Sequence, residues 1–175
     1  MCLGKKGNRS PDGLNYPREV KGMSKNVVRI IVSPTKFGVG SLLSALEIAC
    51  QHYRQLQCGG HIILFAPFKD LKHGLLETAI GAKPLAALLK SQPMTINGCP
   101  VRLETPRTIK TSLKEKIVVV LFAGDSFIGA LDALRSPQVV IAAPEFMEEI
   151  SGWARKWKPI EEPSRYEDSQ SLQNR

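Results

Sequence analysis

The chain has 175 residues, enough for one domain with a full hydrophobic core, and its composition (43% hydrophobic, 23% charged) is that of an ordinary globular protein. No apolar run approaches the roughly 20 residues that a membrane-spanning helix needs, so we expect no membrane partner. The net charge is +8, of which about half lies in the first 25 residues. The remainder of the chain is mildly basic, well short of a dedicated nucleic-acid-binding surface.

The four cysteines form no CxxC pair, and the two closest, Cys50 and Cys58, are eight residues apart. This spacing predicts neither a zinc site nor a disulfide framework. Reduced thiols are typical of a cytoplasmic protein, which is the location we expect.

Residues 1–24 contain two prolines, four glycines and scattered charges without apolar periodicity. This composition predicts a disordered, basic N-terminal arm. Met23, which is followed by SKNVVRIIV, is a candidate for the natural start of the chain.

The segment from residue 26 to residue 92 has the pattern of two strand–helix units. The apolar run VVRIIV (27–32) is typical of a strand buried on both faces, and a helical apolar period follows over residues 40–57. A second buried strand, HIILFA (61–66), precedes two short helical stretches. These are LKHGLLETAI (71–80), which Asp70 can cap, and PLAALLKSQ (84–92).

The pattern then changes to that of a hairpin. In MTINGCPVRLE (94–104), Asn97-Gly98 lies between two short apolar runs, which is the strongest local signal for a tight turn between strands. Pro100 places this hairpin at a sheet edge, because proline cannot donate to a strand ladder.

The rest of the chain adds two further buried strands, KIVVVLFA (116–123) and QVVIAAP (138–144), each followed by a helical pattern. Strands that are apolar throughout and alternate with helices predict a parallel sheet covered on both faces. We therefore expect a single α/β domain over residues 25–158, a Rossmann-like three-layer sandwich whose mainly parallel sheet has about four central strands plus an edge β-hairpin. Residues 159–175 are polar and charged, which predicts a disordered tail.

In an open α/β sheet, ligands bind outside the carboxyl ends of the strands. The segments that follow the four predicted strands are 33–40, 66–70, 123–126 and 143–146. We expect their polar side chains to share one rim of the sheet. These side chains are Ser33, Thr35, Lys36, Lys69, Asp70, Asp125, Ser126 and Glu145.

The first of these segments opens SPTKFGVGSLLSAL (33–46), a strand-to-helix loop with two glycines. It lacks the third glycine of a dinucleotide fingerprint, because Leu43 stands there, and it lacks the GK[ST] of a Walker loop. Gly38 and Gly40 still leave backbone N–H groups accessible at a helix N-terminus, where an anion is favoured. Thr35, Lys36 and Ser41 can add donors. In the alternative interpretation, the glycines only allow the turn and Ser41 lies near the helix cap.

Asp125, at the end of the third predicted central strand, is a candidate metal ligand or base, and its alternative role is to cap a helix. The chain has no GxSxG motif, so Ser126 and Ser33 are poor candidates for a nucleophile. Of the three histidines, only His73 lies near the predicted rim, and surface positions are expected for all of them. The spacing of these residues indicates no metal site.

These patterns favour a module that binds a nucleotide or another small phosphate-bearing ligand at the rim. The predicted ligand-binding residues are Ser33, Thr35, Lys36, Gly38, Gly40, Ser41, Lys69, Asp125 and Ser126. The alternative is an adaptor or nucleic-acid-associated protein that uses the basic arm and the connector 102–116, which holds five basic residues against two acidic ones. A third hypothesis is an enzyme that pairs Asp125 with Asp70 or Glu145. No cofactor, catalytic residue or oligomeric state is predicted.

Overall fold

The apolar runs form the strands of one sheet in the computed structural model, which describes residues 27–67, 74–109, 117–129, 131 and 137–167. Seven strands lie in these residues. They are Val28–Val32 (β1), Ile62–Phe65 (β2), Met94–Ile96 (β3), Cys99–Glu104 (β4), Ile117–Leu121 (β5), Val139–Ala143 (β6) and Ile160–Glu162 (β7).

The strand order is β3-β4-β2-β5-β6-β1-β7, and each neighbouring pair is parallel except the hairpin β3–β4. The strands β2, β5, β6 and β1 occupy the middle of the sheet. Apart from Arg29 in β1, they are apolar, because successive side chains of a strand face opposite sides and both sides are covered. In β5, for example, Val119 enters one core cluster while Val118 and Val120 enter the other.

Helices cover both faces, which confirms the α/β class and the layered arrangement. The first face carries Val39–Gln55 (α1), Leu75–Ile80 (α2) and Ala82–Leu89 (α3), and the second carries Asp125–Gly129 (α4), the 3₁₀ turn Met147–Ile150 and Ser151–Trp157 (α5). Within the part of the chain that the structure describes, no helix has the length and apolar character that crossing a bilayer requires.

The sheet is larger than the prediction of four central strands plus a hairpin. The four central strands and the hairpin are present, and β7 is an additional strand. The Rossmann-like assignment is not confirmed, because β1 lies between β6 and β7. In the 3-2-1-4-5-6 order of a dinucleotide-binding sheet, the first strand instead lies beside the second.

The hairpin β3–β4 turns at Asn97 and Gly98, whose φ angles of 49° and 76° match the positive values that a type I′ turn requires. The strand β3 is the outermost strand, as the edge prediction requires. Pro100 belongs to β4, where it lies opposite Thr95, and the pairing of β4 with β2 begins at the next residue, Val101. The missing N–H of the proline therefore interrupts neither ladder.

The prediction of a disordered tail from residue 159 is wrong for residues 159–167. The strand β7 pairs in parallel with β1, and the amide of Ser33 donates to the carbonyl of Glu162. An edge strand exposes most of its side chains, and Ile160 is 55% exposed. The polar composition that suggested disorder is thus compatible with a short edge strand. The predicted N-terminal arm and residues 168–175 lie outside the described residues.

Replacement of Ile141 by alanine tests the central position of β6. Ile141 is fully buried in the first core cluster, so Ile141→Ala should lower the free energy of unfolding by about 2–5 kcal/mol through lost burial and a residual cavity. Urea denaturation measures this change. The matched control is Ile160→Ala on the exposed edge strand β7, which should cost less than about 1 kcal/mol. Equal losses for the two variants would contradict the sheet order.

Candidate functional site

The carboxyl ends of β1 and β6 mark the point where the sheet connections change sides. These strands are neighbours, yet β1 leads to α1 on the first face and β6 leads to the 3₁₀ turn and α5 on the second face. In open α/β sheets, ligands bind outside the carboxyl ends of the strands.

A cleft lies at the carboxyl ends of β5 and β6, beside the start of α1, and we call it the switch-point cleft. Its wall is largely apolar, and its enclosed part is small, about 20 Å³, which is room for about one water molecule. Two strongly exposed aromatic side chains, Phe37 (63%) and Phe146 (56%), directly adjoin lining residues in sequence. The lining residues are Gly38, Ser41, Leu42, Leu75, Leu121, Phe122, Ala143, Pro144 and Glu145.

The loop before α1 is held by its own hydrogen bonds. Gly38 adopts a left-handed conformation (φ 76°) at the N-cap, which favours glycine. Its amide donates to the carbonyl of Thr35 at 3.1 Å, and its carbonyl accepts the hydroxyl of Ser41 at 2.9 Å. The Ser41 amide also points to the hydroxyl of Thr35, at 3.4 Å. Thr35 and Ser41 therefore shape the turn, and Ser41 also lines the cleft.

Gly40 serves chain packing. A Cβ atom at this position would overlap the carbonyl oxygen of Tyr166 and would lie 3.1 Å from the Thr35 methyl group. The small residue is needed because the backbone near the end of the described chain crosses α1 at this point. The prediction that Gly40 opens the backbone to a phosphate lacks support, since a carbonyl oxygen already lies against it.

Asp125 caps a helix other than its own. Its two carboxylate oxygens accept the amides of Gly152 (2.9 Å) and Trp153 (2.7 Å) in the first turn of α5. The residue that precedes α5, Ile150, has no polar side chain, so the carboxylate from the neighbouring helix takes this role. The structure thus gives Asp125 a capping role, away from the predicted ligand site.

The remaining predicted residues are separated by the structure. Ser33 is tied to β7 through its amide. Lys36 is exposed, with its ammonium 5.2 Å from the centre of the Phe37 ring. Ser126 is exposed on α4. Lys69, Asp70 and His73 lie outside the described residues. The structure brings the predicted ligand-binding residues Gly38 and Ser41 and the predicted rim residue Glu145 together at the switch-point cleft.

Sequence reasoning missed the apolar part of the cleft, because it searched the rim for polar side chains. Leu75 comes from α2, whose position relative to α1 no local pattern reveals. Phe122 follows β5 directly and has a positive φ of 54°, which is uncommon for an aromatic residue. An apolar residue that follows a buried strand was the available signal, although it does not distinguish a cleft from ordinary core.

The displaced pKa values of Cys50 and His52 lie on α1, far from the cleft. Burial raises the pKa of Cys50 to about 12, and the adjacent Cys99 thiol adds to this effect. Burial also lowers the pKa of His52. Both residues lie in the second half of α1, roughly 18 Å or more along the helix axis from Gly38. A thiol that stays protonated is a poor nucleophile, so these shifts indicate no catalytic site.

Metal binding finds no support in the described ranges, where no group of three or more histidine, cysteine, aspartate or glutamate side chains is arranged to hold an ion. No protein-family model matches the sequence, and no curated protein is significantly similar to it. The geometry of the cleft is therefore the basis of the functional argument.

Replacement of Asp125 by alanine tests its capping role. Asp125→Ala removes both acceptors for the first turn of α5 and should destabilise the fold by about 0.5–2 kcal/mol in urea denaturation. Ser126→Ala, an exposed neighbour on the same helix, is the control and should change stability by less than about 0.5 kcal/mol. An Asp125→Ala variant as stable as the control would show that the cap is unimportant.

Proposed function

We propose that the chain is a binding module for a nucleotide or another small phosphate-bearing ligand, seated at the switch-point cleft. The observation that carries this proposal is the coincidence of two features at one place: an apolar cleft at the carboxyl ends of β5 and β6, and the N-terminus of the 17-residue helix α1. The dipole and the amides of a helix start favour an anion, and the apolar cleft favours a ring.

The dimensions of the cleft determine how such a ligand would sit. The enclosed space takes only the edge of a ring, so most of the ligand would lie in the open mouth. There Phe37 and Phe146 offer exposed aromatic surface to a planar base. This arrangement fits a ligand that combines a flat apolar part with a charged part outside the cleft.

The charges of the mouth assign the orientation of the ligand. Glu145 lines the cleft on the β6 side, where its carboxylate repels a phosphate and can accept hydrogen bonds from hydroxyl or amino groups such as those of a ribose or a base. Lys36 lies on the α1 side, in the loop that precedes the helix. We therefore place the phosphate near the start of α1 and the sugar near Glu145.

The proposal is for binding without a catalytic step. Asp125, the carboxylate that had been the candidate base, holds α5 through two hydrogen bonds. The lining residues that the structure describes include one carboxylate, Glu145, and one hydroxyl, Ser41, whose proton is donated to the Gly38 carbonyl. Because a backbone carbonyl accepts this proton and no general base does so, the Ser41 hydroxyl lacks the activation that a nucleophile needs. We also propose a cytoplasmic location, because Cys50, Cys58 and Cys99 form no disulfide bond.

Nucleic-acid binding remains the alternative proposal. The described residues carry eleven lysines and arginines against ten aspartates and glutamates, so their charge is nearly balanced. Most of the +8 excess lies in segments outside them, including the N-terminal arm and part of the connector 102–116. An interaction with nucleic acid would therefore depend on those segments and would weaken steeply with salt.

Thermal melting of the full chain against nucleoside mono-, di- and triphosphates, dinucleotides, inorganic phosphate and short oligonucleotides tests the proposal. A ligand at a hundred times its dissociation constant adds about 2.7 kcal/mol to the stability, which gives a clear shift of the melting temperature. The shift should be reduced in Lys36→Ala and in Glu145→Gln. Lys83→Ala, an exposed lysine on α3, is the matched control and should keep the full shift.

The ligand panel also separates the two proposals. A shift with oligonucleotides alone, abolished by moderate salt and unchanged in Lys36→Ala and Glu145→Gln, would support the nucleic-acid alternative. A full panel without any shift would falsify small-ligand binding at the cleft.

A further inference from the structure

The end of the described chain is fastened to the side of α1. We call residues 163–167, which follow β7, the C-terminal strap. The amide of Arg165 donates to the hydroxyl of Ser44 at 2.8 Å, and the hydroxyls of Ser44 and Ser164 are 3.2 Å apart. The Tyr166 hydroxyl donates to a carboxylate oxygen of Glu47 at 3.1 Å. The strap is thus attached to α1 by both backbone and side-chain groups.

The seat of the strap is one face of the first half of α1. Gly40, Ser44 and Glu47 follow one another at the spacing that places residues on the same side of a helix. Gly40 has no side chain where the Tyr166 carbonyl crosses, and Ser44 is fully buried beneath the strap. The small residues Gly40 and Ser44 therefore leave a groove on α1 in which this segment lies.

The opposite face of the same turns lines the switch-point cleft. At 100° per residue, Leu42 points about 160° away from both Gly40 and Ser44, and Ser41 lies between the two sides, about 60° from Ser44. The start of α1 is consequently held between the cleft on one side and the strap on the other. A change in the docking of the strap therefore alters the packing around the residues of α1 that line the cleft.

The contacts of the strap are of a kind that opens locally. The strand β7 that leads into it is three residues long and lies at the edge of the sheet. The ion pair between Arg165 and Glu47 (3.7 Å) is about one-third exposed on both sides, and such pairs contribute little to stability. The hydroxyl of Ser164 bonds to the Tyr166 carbonyl at 2.8 Å within the strap itself. Short elements with few buried apolar contacts open at low free energy.

We propose that the C-terminal strap is a releasable clamp that holds the first two turns of α1 in the position that the switch-point cleft requires. Docking of the strap and occupation of the cleft then favour the same arrangement of α1, so each stabilises the other. The regulatory role of the clamp rests on the proposed function of the cleft, whereas its mechanical effect on α1 does not.

Hydrogen exchange of the full chain with the variant Arg165→Pro tests the clamp. Proline at 165 removes the N–H that donates to Ser44 and leaves the sequence of α1 unchanged. Exchange of the strap amides of residues 164, 166 and 167 and of the amides of residues 39–47 should accelerate, by about tenfold for the loss of this attachment. Arg165→Ala is the matched control, because it keeps the N–H and loses only the one-third-exposed ion pair, and its exchange should remain close to that of the wild type.

A second variant approaches the same contact from α1. Gly40→Ala should displace the strap through the overlap with the Tyr166 carbonyl. Its control is Gly129→Ala on α4, where an added Cβ meets no atom within 4 Å. If the strap of Arg165→Pro exchanges rapidly while residues 39–47 keep their wild-type protection, the strap is a passive tail and the clamp is refuted. Exchange of the strap in the wild type at the rate of an unstructured chain would show that the strap is not docked and would refute the clamp equally.

Nucleotide binding by Arg165→Pro distinguishes this inference from the proposed function. If the wild type shows a nucleotide-dependent melting shift, Arg165→Pro should bind about tenfold more weakly than Arg165→Ala, and equal affinities would refute the coupling. If the wild type shows no shift with any small ligand, the proposed function fails, and the exchange of residues 39–47 still decides whether the strap supports α1.

Discussion

The position of β1 between two later strands is the constraint on which the rest of the structure depends. The strand β1 pairs in parallel with β6 on one side and β7 on the other. Because β2 lies beyond β6 and β5, the connection through α1 must cross these two strands on the first face of the sheet. The helix α1 therefore packs over β5 and β6, and its start lies beside the carboxyl ends of these strands, where the cleft forms.

The small residues of α1 divide between two tasks that the sequence does not distinguish. Gly38 provides the backbone angle that turns the chain from β1 into the helix, and Ser41 closes that turn and borders the cleft. Gly40 and Ser44 instead accommodate another segment of the same chain. A loop with two glycines thus has one conformational glycine and one packing glycine. Two glycines at the start of a helix resemble a phosphate-binding loop. Here only one of them serves the turn, and the third glycine and the GK[ST] of the known loops are absent.

The features that could be predicted are those that local physics determines. Buried strands require continuous apolar runs, so the four central strands were found, and Asn97-Gly98 identified the hairpin through its positive φ angles. The strand β7 could not be found in this way, because an edge strand of three residues has almost no apolar pattern. The sequence indicated that Asp125 can cap a helix, but not which helix. The helix that it caps, α5, begins 26 residues later along the chain. The apolar wall of the cleft escaped prediction because Leu75 reaches it through the packing of α2 on α1, which only the three-dimensional fold specifies.

The placement of β1 also has a consequence for the time course of folding. Val28 pairs with Val139, so the first strand of the sheet waits for a partner about 110 residues further along the chain. Contacts of such long range require the closure of a large loop before they contribute any stabilisation, which slows folding. Until β6 and β7 have left the ribosome, both edges of the apolar strand β1 lack their native neighbours. The nascent chain therefore exposes an unpaired apolar strand during most of its synthesis. Such a strand promotes aggregation, and we expect folding in the cell to depend on chaperones.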